Sequence, residues 1–99
     1  MDIVKNYDGK ELTMKVGDRI DTVTAPDFEK EIMDEMGNFD SLIFDFENLE
    51  YISSAGLRVL ILVQKKLKPD AIPFVIKNVN DSIREIFRMA GFNKILDIQ

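Results

Sequence analysis

The segment Phe44–Leu62, with the sequence FDFENLEYISSAGLRVLIL, constrains the fold more than any other part of the chain. It begins with an apolar run typical of a buried strand, passes through a short polar loop and continues as a strongly apolar helix. A buried strand needs neighbouring strands, and an apolar helix needs a surface to cover. The segment therefore predicts an α/β domain in which a central strand leads directly into a helix that packs on the sheet.

The rest of the chain alternates strand and helix patterns. Apolar and polar residues alternate on both sides of Asp8-Gly9-Lys10, which predicts a β-hairpin whose second strand can continue to Ile20. Helices and strands then follow in turn. We expect a helix entrance and helix at Thr22–Met36, with Thr24 as the N-cap, and further helices at Ala55–Leu67 and Asn80–Ala90. The expected strands are Ser41–Phe46, Pro73–Lys77 and Ile95–Ile98, and a loop at Asn48–Ser53 precedes the second helix. We expect residues 1–99 to form one α/β domain, a mixed sheet of four or five strands covered by helices.

The chain contains no cysteine and no histidine. Their absence excludes disulfides, thiolate zinc sites, a cysteine nucleophile and the commonest general base. The strand residues Asp45 and Glu47 are expected to project to the same side, where paired carboxylates could do acid–base chemistry. No other feature supports an enzyme, so we expect no catalytic residue, no metal and no cofactor.

The net charge of the chain is −5, which disfavours binding to nucleic acid and to anionic membranes. A short basic cluster, Lys65, Lys66 and Lys68, lies at the end of a predicted helix, where it complements the helix dipole. No apolar run approaches the roughly 20 residues needed to cross a bilayer, and the first ten residues are too polar for a secretory signal. We expect a cytoplasmic protein.

The pair Ser53-Ser54 lies where the second helix is expected to begin. A serine there can serve as a plain N-cap, but a pair supplies one more hydroxyl than a cap requires. A helix N-terminus also favours phosphate, because it presents free N–H groups and a positive dipole end.

The following apolar run, Val59–Val63, is continuous, so its side chains cannot all lie on one side of the helix. Two explanations stay open, a helix buried on two sides and an exposed patch for a partner.

The string Asn48–Leu60, NLEYISSAGLRVL, resembles the signature of the anti-sigma factor antagonists, which are members of the STAS domain family. The segment Gly17–Asp21, followed by Thr24-Ala25-Pro26, resembles the family's connection between the second strand and the first helix. The resemblance covers essentially the whole chain and implies a single STAS domain.

The resemblance also implies a function. Proteins of this type bind an anti-sigma factor that is also an ATP-dependent serine kinase, and this binding frees the sigma factor. The kinase phosphorylates one serine of the antagonist, which releases it, and a metal-dependent serine phosphatase of the PP2C type restores it. In the family motif the acceptor is the serine two positions before the glycine, which corresponds to Ser54. Family members often carry Asp before that serine, where this chain has Ser53.

We expect the partner-binding surface at the N-terminus of the second helix, comprising Ser53, Ser54, Gly56, Arg58 and Asp21. Each of these residues also has a purely structural interpretation. Gly56 can allow tight packing of the first helical turn, Asp21 can cap a turn, and Arg58 can be a solvated helix residue. An alternative for the whole chain is a STAS module of a lipid-transport or sensory complex that is not phosphorylated.

Overall fold

A computed structural model of the chain describes residues 1–99 and contains six strands and three α-helices. The strands are β1 (Asp2–Asp8), β2 (Glu11–Ile20), β3 (Ser41–Asp45), β4 (Leu49–Ile52), β5 (Phe74–Lys77) and β6 (Asp97–Ile98). The helices are α1 (Ala25–Met33), α2 (Ser54–Leu67) and α3 (Asp81–Met89), with short 3₁₀ turns at Lys68–Asp70 and Phe92–Lys94. This order confirms the predicted hairpin followed by helices and strands in turn, except that β4 follows β3 directly and raises the number of strands from the expected four or five to six. Neither α2, the longest helix at 14 residues, nor the other two has the length and apolar character needed to cross a membrane.

The opening hairpin depends on the turn between β1 and β2. Asp8 pairs with Glu11, so the loop has two residues, and Gly9 adopts the left-handed φ of +60° that glycine tolerates without strain. β2 continues to Ile20, as the sequence predicted. Its first half, Glu11–Lys15, pairs with β3, and its end, Asp18–Ile20, pairs with β4 with a register shift between Asp18 and Arg19.

The main sheet has the order β1-β2-β3-β5-β6, with β1 antiparallel and the others parallel to β2. β4 lies off this path and pairs in parallel with the end of β2, residues Asp18–Ile20. The prediction of a loop at Asn48–Ser53 was wrong for most of this segment. Leu49 and Ile52 are buried while the two residues between them are exposed, so the strand lacks the apolar–polar alternation by which strands are recognised.

All three helices lie on one face of the sheet. The chain crosses from β2 to β3, from β3 to β5 and from β5 to β6, each time to the next strand in the same direction across the sheet. Because such parallel crossovers are right-handed, all three helices lie on the same side of the sheet. The aromatic contacts agree, since Phe28 of α1 lies 5.5 Å from Phe44 and Phe87 of α3 lies 6.5 Å from Phe46, measured between ring centroids. The core is one cluster of 24 buried apolar residues, and no polar or charged side chain is buried.

The opposite face of the sheet carries no helix. Its central row contains Thr13, Ile43 and Val75, which are neighbours across three strands and remain half-exposed. Val4, on the edge strand β1, is 53% exposed. The helical cover that the sequence predicted is therefore one-sided, although sheets that are mostly parallel are usually covered on both faces.

The first helix is shorter than the sequence indicated. It ends at Met33 instead of Met36, because the N–H groups of Glu35 and Met36 donate to carbonyls three residues back and tighten the chain into turns. Gly37 follows with a φ of +88° and ends this segment. The end of the helix is attached to β1 by Lys5, whose amino group lies 3.1 Å from the Glu35 carboxylate.

The two faces of β3 give a matched test of the one-sided core. We expect Phe44→Ala to lower the free energy of unfolding by about 3–5 kcal/mol, because it removes a fully buried ring from the centre of the cluster. Ile43→Ala, at the adjacent position on the uncovered face, should cost roughly 1 kcal/mol or less. Urea denaturation of both variants measures the difference. Equal losses would show that the second face is also packed.

Candidate functional site

The first turn of α2 assigns different tasks to the two serines. Ser53 is the N-cap, and its hydroxyl accepts a hydrogen bond from the N–H of Gly56 at 3.4 Å. Its own N–H donates to the carbonyl of Ile20 at 2.8 Å, which ties the helix start to the end of β2. Ser54 is the first helical residue, it is exposed, and its hydroxyl has no hydrogen-bond partner in the chain. Capping therefore needs Ser53 alone, and the Ser54 hydroxyl is free for other chemistry.

Gly56 holds the helix close to the sheet. A Cβ atom at this position would lie 2.7 Å from Cγ2 of Ile20 and 2.7 Å from Cγ1 of Ile52, closer than real Cβ atoms approach other atoms. Gly56 is buried, unlike the exposed Ser54 and Arg58, with which it was predicted to form a partner-binding surface. Its role is the structural one, tight packing of the first turn of α2 on β2 and β4.

Asp21 organises the loop that follows β2. One carboxylate oxygen accepts hydrogen bonds from the N–H groups of Val23 and Thr24, each at 3.0 Å, and the other lies 3.2 Å from Nε of Arg19. Hydrogen bonds from the backbone and hydroxyl of Thr24, from the backbone of Val23 and from Arg19 lower the pKa of Asp21 below its usual value. The carboxylate thus stabilises the entrance to α1, which is the turn role considered from the sequence.

Thr24 occupies the N-cap position of α1, but its side chain makes no capping hydrogen bond. The predicted N-cap residue is thus confirmed, but its hydroxyl turns back and donates to the carbonyl of Arg19 at 3.0 Å. This loop lies next to the start of α2, since Ile20 pairs with Ile52 and the two chain segments leave the sheet side by side. Arg19 also lies over the ring of Tyr51, 5.0 Å from its centroid.

Arg58 is exposed on α2, one helical turn after Ser54, and it forms no ion pair within the chain. It stands between two grooves. One groove lies between α1 and α2 and includes Thr22 and Glu29, and the other lies on the far side of α2 and includes Ser54 and Leu57. The structure thus brings Ser53, Ser54 and Arg58 together with the Asp21 loop at one end of the domain.

The apolar run of α2 combines the two explanations that the sequence left open. Val59, Leu60 and Val63 are buried in the core, whereas Ile61 and Leu62 are half-exposed and line the grooves. Sequence reasoning did not identify the rest of the second groove, which Lys65 of α2 and Phe92 of the 3₁₀ turn complete. The continuous apolar run was the available signal, but it could not show which of its residues face outward.

The carboxylates considered for acid–base chemistry have structural surroundings. β3 ends at Asp45, so Glu47 does not lie on the same strand and the expected alignment of the two side chains was wrong. The Asp45 carboxylate accepts hydrogen bonds from the N–H of Glu47 at 3.0 Å and from the side-chain amide of Asn78 at 3.1 Å. Glu47 lies near Lys15, with 3.6 Å between the charged atoms.

Comparisons with known proteins agree on one family. The sequence profile of the STAS domain matches residues 3–99. The putative anti-sigma factor antagonist BtrV of Bordetella bronchiseptica is 39% identical over 57 residues, which are 58% of this chain and 49% of BtrV, so the match spans about half the length of that relative. The anti-sigma-B factor antagonist of Staphylococcus aureus is 28% identical over 87 residues, 86% of this chain and 80% of that protein.

Solved structures show the same fold. The anti-sigma factor antagonist SpoIIAA in its unphosphorylated form superimposes with a TM-score of 0.83 at 15% identity, covering 99% of this chain and 88% of SpoIIAA. The phosphorylated form of the same Bacillus protein gives a TM-score of 0.76 at 15% identity, covering 99% of this chain and 91% of that one. At this identity the likeness extends to the fold alone.

The two serines give a second matched test. Ser53→Ala should lower the free energy of unfolding by about 1 kcal/mol, because it leaves the N–H of Gly56 without its cap. Ser54→Ala removes no hydrogen bond and should change stability by less than about 0.5 kcal/mol. Chemical denaturation at neutral pH compares the two variants. A larger loss of stability for Ser54→Ala than for Ser53→Ala would show that Ser54, and not Ser53, is the N-cap.

The Asp21 turn gives a pH-dependent prediction. Because its pKa is lowered in the folded protein, the stability that Asp21 contributes is present above its ordinary pKa near 3.8 and is lost as the pH falls through the lower folded-state value. Asp21→Asn should therefore be less stable than the wild type at pH 7, and the difference should shrink on going to pH 3. Urea midpoints at both pH values test this expectation, and a gap that stays constant would contradict it.

Proposed function

The chain belongs to the STAS domain family, and from this premise we propose that it is an anti-sigma factor antagonist whose partner binding is switched off by phosphorylation of Ser54. In this proposal the protein binds an anti-sigma factor that is also a serine kinase and thereby frees a sigma factor in the cytoplasm. The kinase transfers phosphate from ATP to Ser54, and a PP2C-type phosphatase removes it. The chain itself is the substrate of both enzymes and catalyses neither step.

The observation that carries the proposal is the free hydroxyl of Ser54. It is exposed at the first position of α2, while the neighbouring Ser53 supplies the cap. A kinase can therefore modify Ser54 without removing a hydrogen bond on which the helix depends. The names of the relatives give independent support, since BtrV and the staphylococcal protein are both described as anti-sigma factor antagonists. SpoIIAA, with the same fold, has been solved with and without phosphate.

The electrostatics of this position explain how a phosphate can act without unfolding the domain. Phosphate adds a charge of about −1.5 to −2 at neutral pH, and the positive end of the α2 dipole lies beside it. Arg58 lies four residues after Ser54, so the two side chains share a face of the helix. The added charge thus changes an exposed surface without breaking a hydrogen bond of the Ser54 side chain. A loss of about 3 kcal/mol in binding free energy would lower the affinity for the partner roughly 100-fold.

We expect the wild-type chain to take up one phosphate from a cognate kinase and Ser54→Ala to take up none. The purified chain is incubated with ATP and, in turn, with each kinase-type anti-sigma factor of its host, and intact mass is measured. Ser82→Ala is the control, because Ser82 is an exposed serine in the first turn of another helix. Full phosphorylation of Ser54→Ala would show that the acceptor is another residue, with Ser53 as the first alternative.

Calorimetric titration of the same kinase then tests the switch. Wild type and Ser54→Ala should bind with similar affinity, and phosphorylated wild type should bind at least roughly tenfold more weakly, a change of about 1.4 kcal/mol. Ser54→Asp carries one charge and a shorter side chain, so it should weaken binding to a smaller extent. Its melting temperature should stay within about 2 °C of the wild type. Equal affinity for all four forms would favour a STAS module of a lipid-transport or sensory complex.

A further inference from the structure

The groove on the far side of α2 has an organised lining. It encloses about 500 Å³ and is bordered by Ser54, Leu57, Arg58, Ile61, Leu62, Lys65 and Phe92. Six of these residues form two rows in which each member follows the previous one by four positions: Ser54, Arg58 and Leu62 in one row, and Leu57, Ile61 and Lys65 in the other. Phe92, from the 3₁₀ turn near the C-terminus, closes one side.

Rows of side chains spaced four residues apart are the ridges that helices use to pack against one another. Two such ridges leave a groove between them that accepts a ridge of a second helix at a crossing angle near −50°. The distance from Ser54 to Lys65 along the α2 axis is roughly 16 Å at 1.5 Å per residue, which corresponds to about three turns of an occupant helix. α2 and the 3₁₀ turn present no free strand edge, so an extended segment could not add to the sheet here.

The charges around the groove indicate the chemistry of its occupant. Arg58 and Lys65 line it, no Asp or Glu does, and neither basic side chain has an ion-pair partner within the chain. This contrasts with the protein as a whole, whose net charge is −5. Residues 54–99 contain eight Lys and Arg against four Asp and Glu, whereas residues 1–53 contain five against fourteen. The groove is thus basic and apolar in an otherwise acidic molecule.

We infer that this groove receives an acidic amphipathic helix of the anti-sigma factor, about three turns long, an inference that rests on the proposed function. Apolar residues of the incoming helix pack between Leu57, Ile61 and Leu62. Its carboxylates pair with Arg58 and Lys65, which are seven residues apart along α2. Ser54 begins one ridge, so a phosphate on it lies at the end of the groove and competes with the partner's carboxylates for Arg58. The switch then works by exchanging one anion for another at the same guanidinium.

Two neighbouring lysines give the test a matched control. Lys65 lines the groove, whereas Lys66 is exposed in the same last turn of α2 and lies outside it. Charge reversal opposes the helix dipole about equally at both positions, so any difference in affinity comes from the groove. Calorimetric titration of the kinase that phosphorylates Ser54 is carried out with Lys65→Glu and Lys66→Glu at two salt concentrations.

We expect Lys65→Glu to weaken binding at least tenfold and Lys66→Glu to leave the affinity within about twofold of the wild type. The salt dependence of binding should be smaller for Lys65→Glu, because an attractive charge pair has been removed. In NMR spectra of the complex, the amide signals of Leu57, Ile61 and Phe92 should shift, and those of Thr13 and Val75 on the uncovered face should not.

Failure of this inference is distinguishable from failure of the proposed function. If the wild type binds the kinase and phosphate on Ser54 releases it, but Lys65→Glu and Lys66→Glu bind equally well, the groove is not the docking site and the proposed function stands. If no kinase-type anti-sigma factor binds the wild type, both proposals are overturned. Shifts confined to the groove between α1 and α2 would place the partner on the other side of Arg58 and would also overturn the inference.

Discussion

The contact at Gly56 determines where everything at the candidate site lies. The first turn of α2 approaches β2 and β4 so closely that a methyl group would lie 2.7 Å from the side chains of Ile20 and Ile52. With the helix held at that distance, the N–H of Ser53 reaches the carbonyl of Ile20, and the Ser53 hydroxyl turns inward to the N–H of Gly56. The next residue, Ser54, is then the first one directed to solvent. The lack of a side chain at Gly56 thus determines where the free hydroxyl of Ser54 lies.

The same end of the domain joins the two loops into one unit. The loop after β2 is held by the Asp21 carboxylate, and the segment before α2 continues a strand that pairs with β2. Arg19 bridges them, because it contacts both Asp21 and the ring of Tyr51. A charge added at Ser54 therefore meets a surface with defined geometry. The proposed switch needs only a change in what that surface attracts, and the fold can stay as it is.

Some of these features could be predicted from the sequence and others could not. The hairpin, the buried strand β3 and the start of α2 were predicted because Gly9, the run at Leu42–Phe44 and the serine pair are local signals of turn, burial and cap. β4 was missed because its buried residues are three positions apart, a spacing that reflects pairing with a bulged part of β2. Such pairing depends on residues about 30 positions away in the chain.

At the candidate site, too, features set by neighbouring residues in the sequence were predicted, and features set by distant residues were not. Ser54 and Arg58 were found from the motif that surrounds them, and the structure leaves both exposed. Gly56 carries the same motif signal but is buried, since what it contacts is decided by Ile20 and Ile52 on two different strands. The groove was not predicted because Phe92 reaches α2 only through the path of the last 3₁₀ turn. Local pattern identifies the chemical groups, and tertiary contacts decide which of them solvent can reach.

The one-sided sheet separates the tasks of the domain in space. Positions facing the helices must keep their volume and apolar character, whereas their neighbours along the same strands, such as Thr13, Ile43 and Val75, make no contact with a helix. Substitutions on this half-exposed face should therefore disturb the packing much less than substitutions in the core. The face is also far from the helix surface that carries Ser54. Mutational drift on that face can alter surface charge while the core and the helix surface that carries Ser54 stay unchanged.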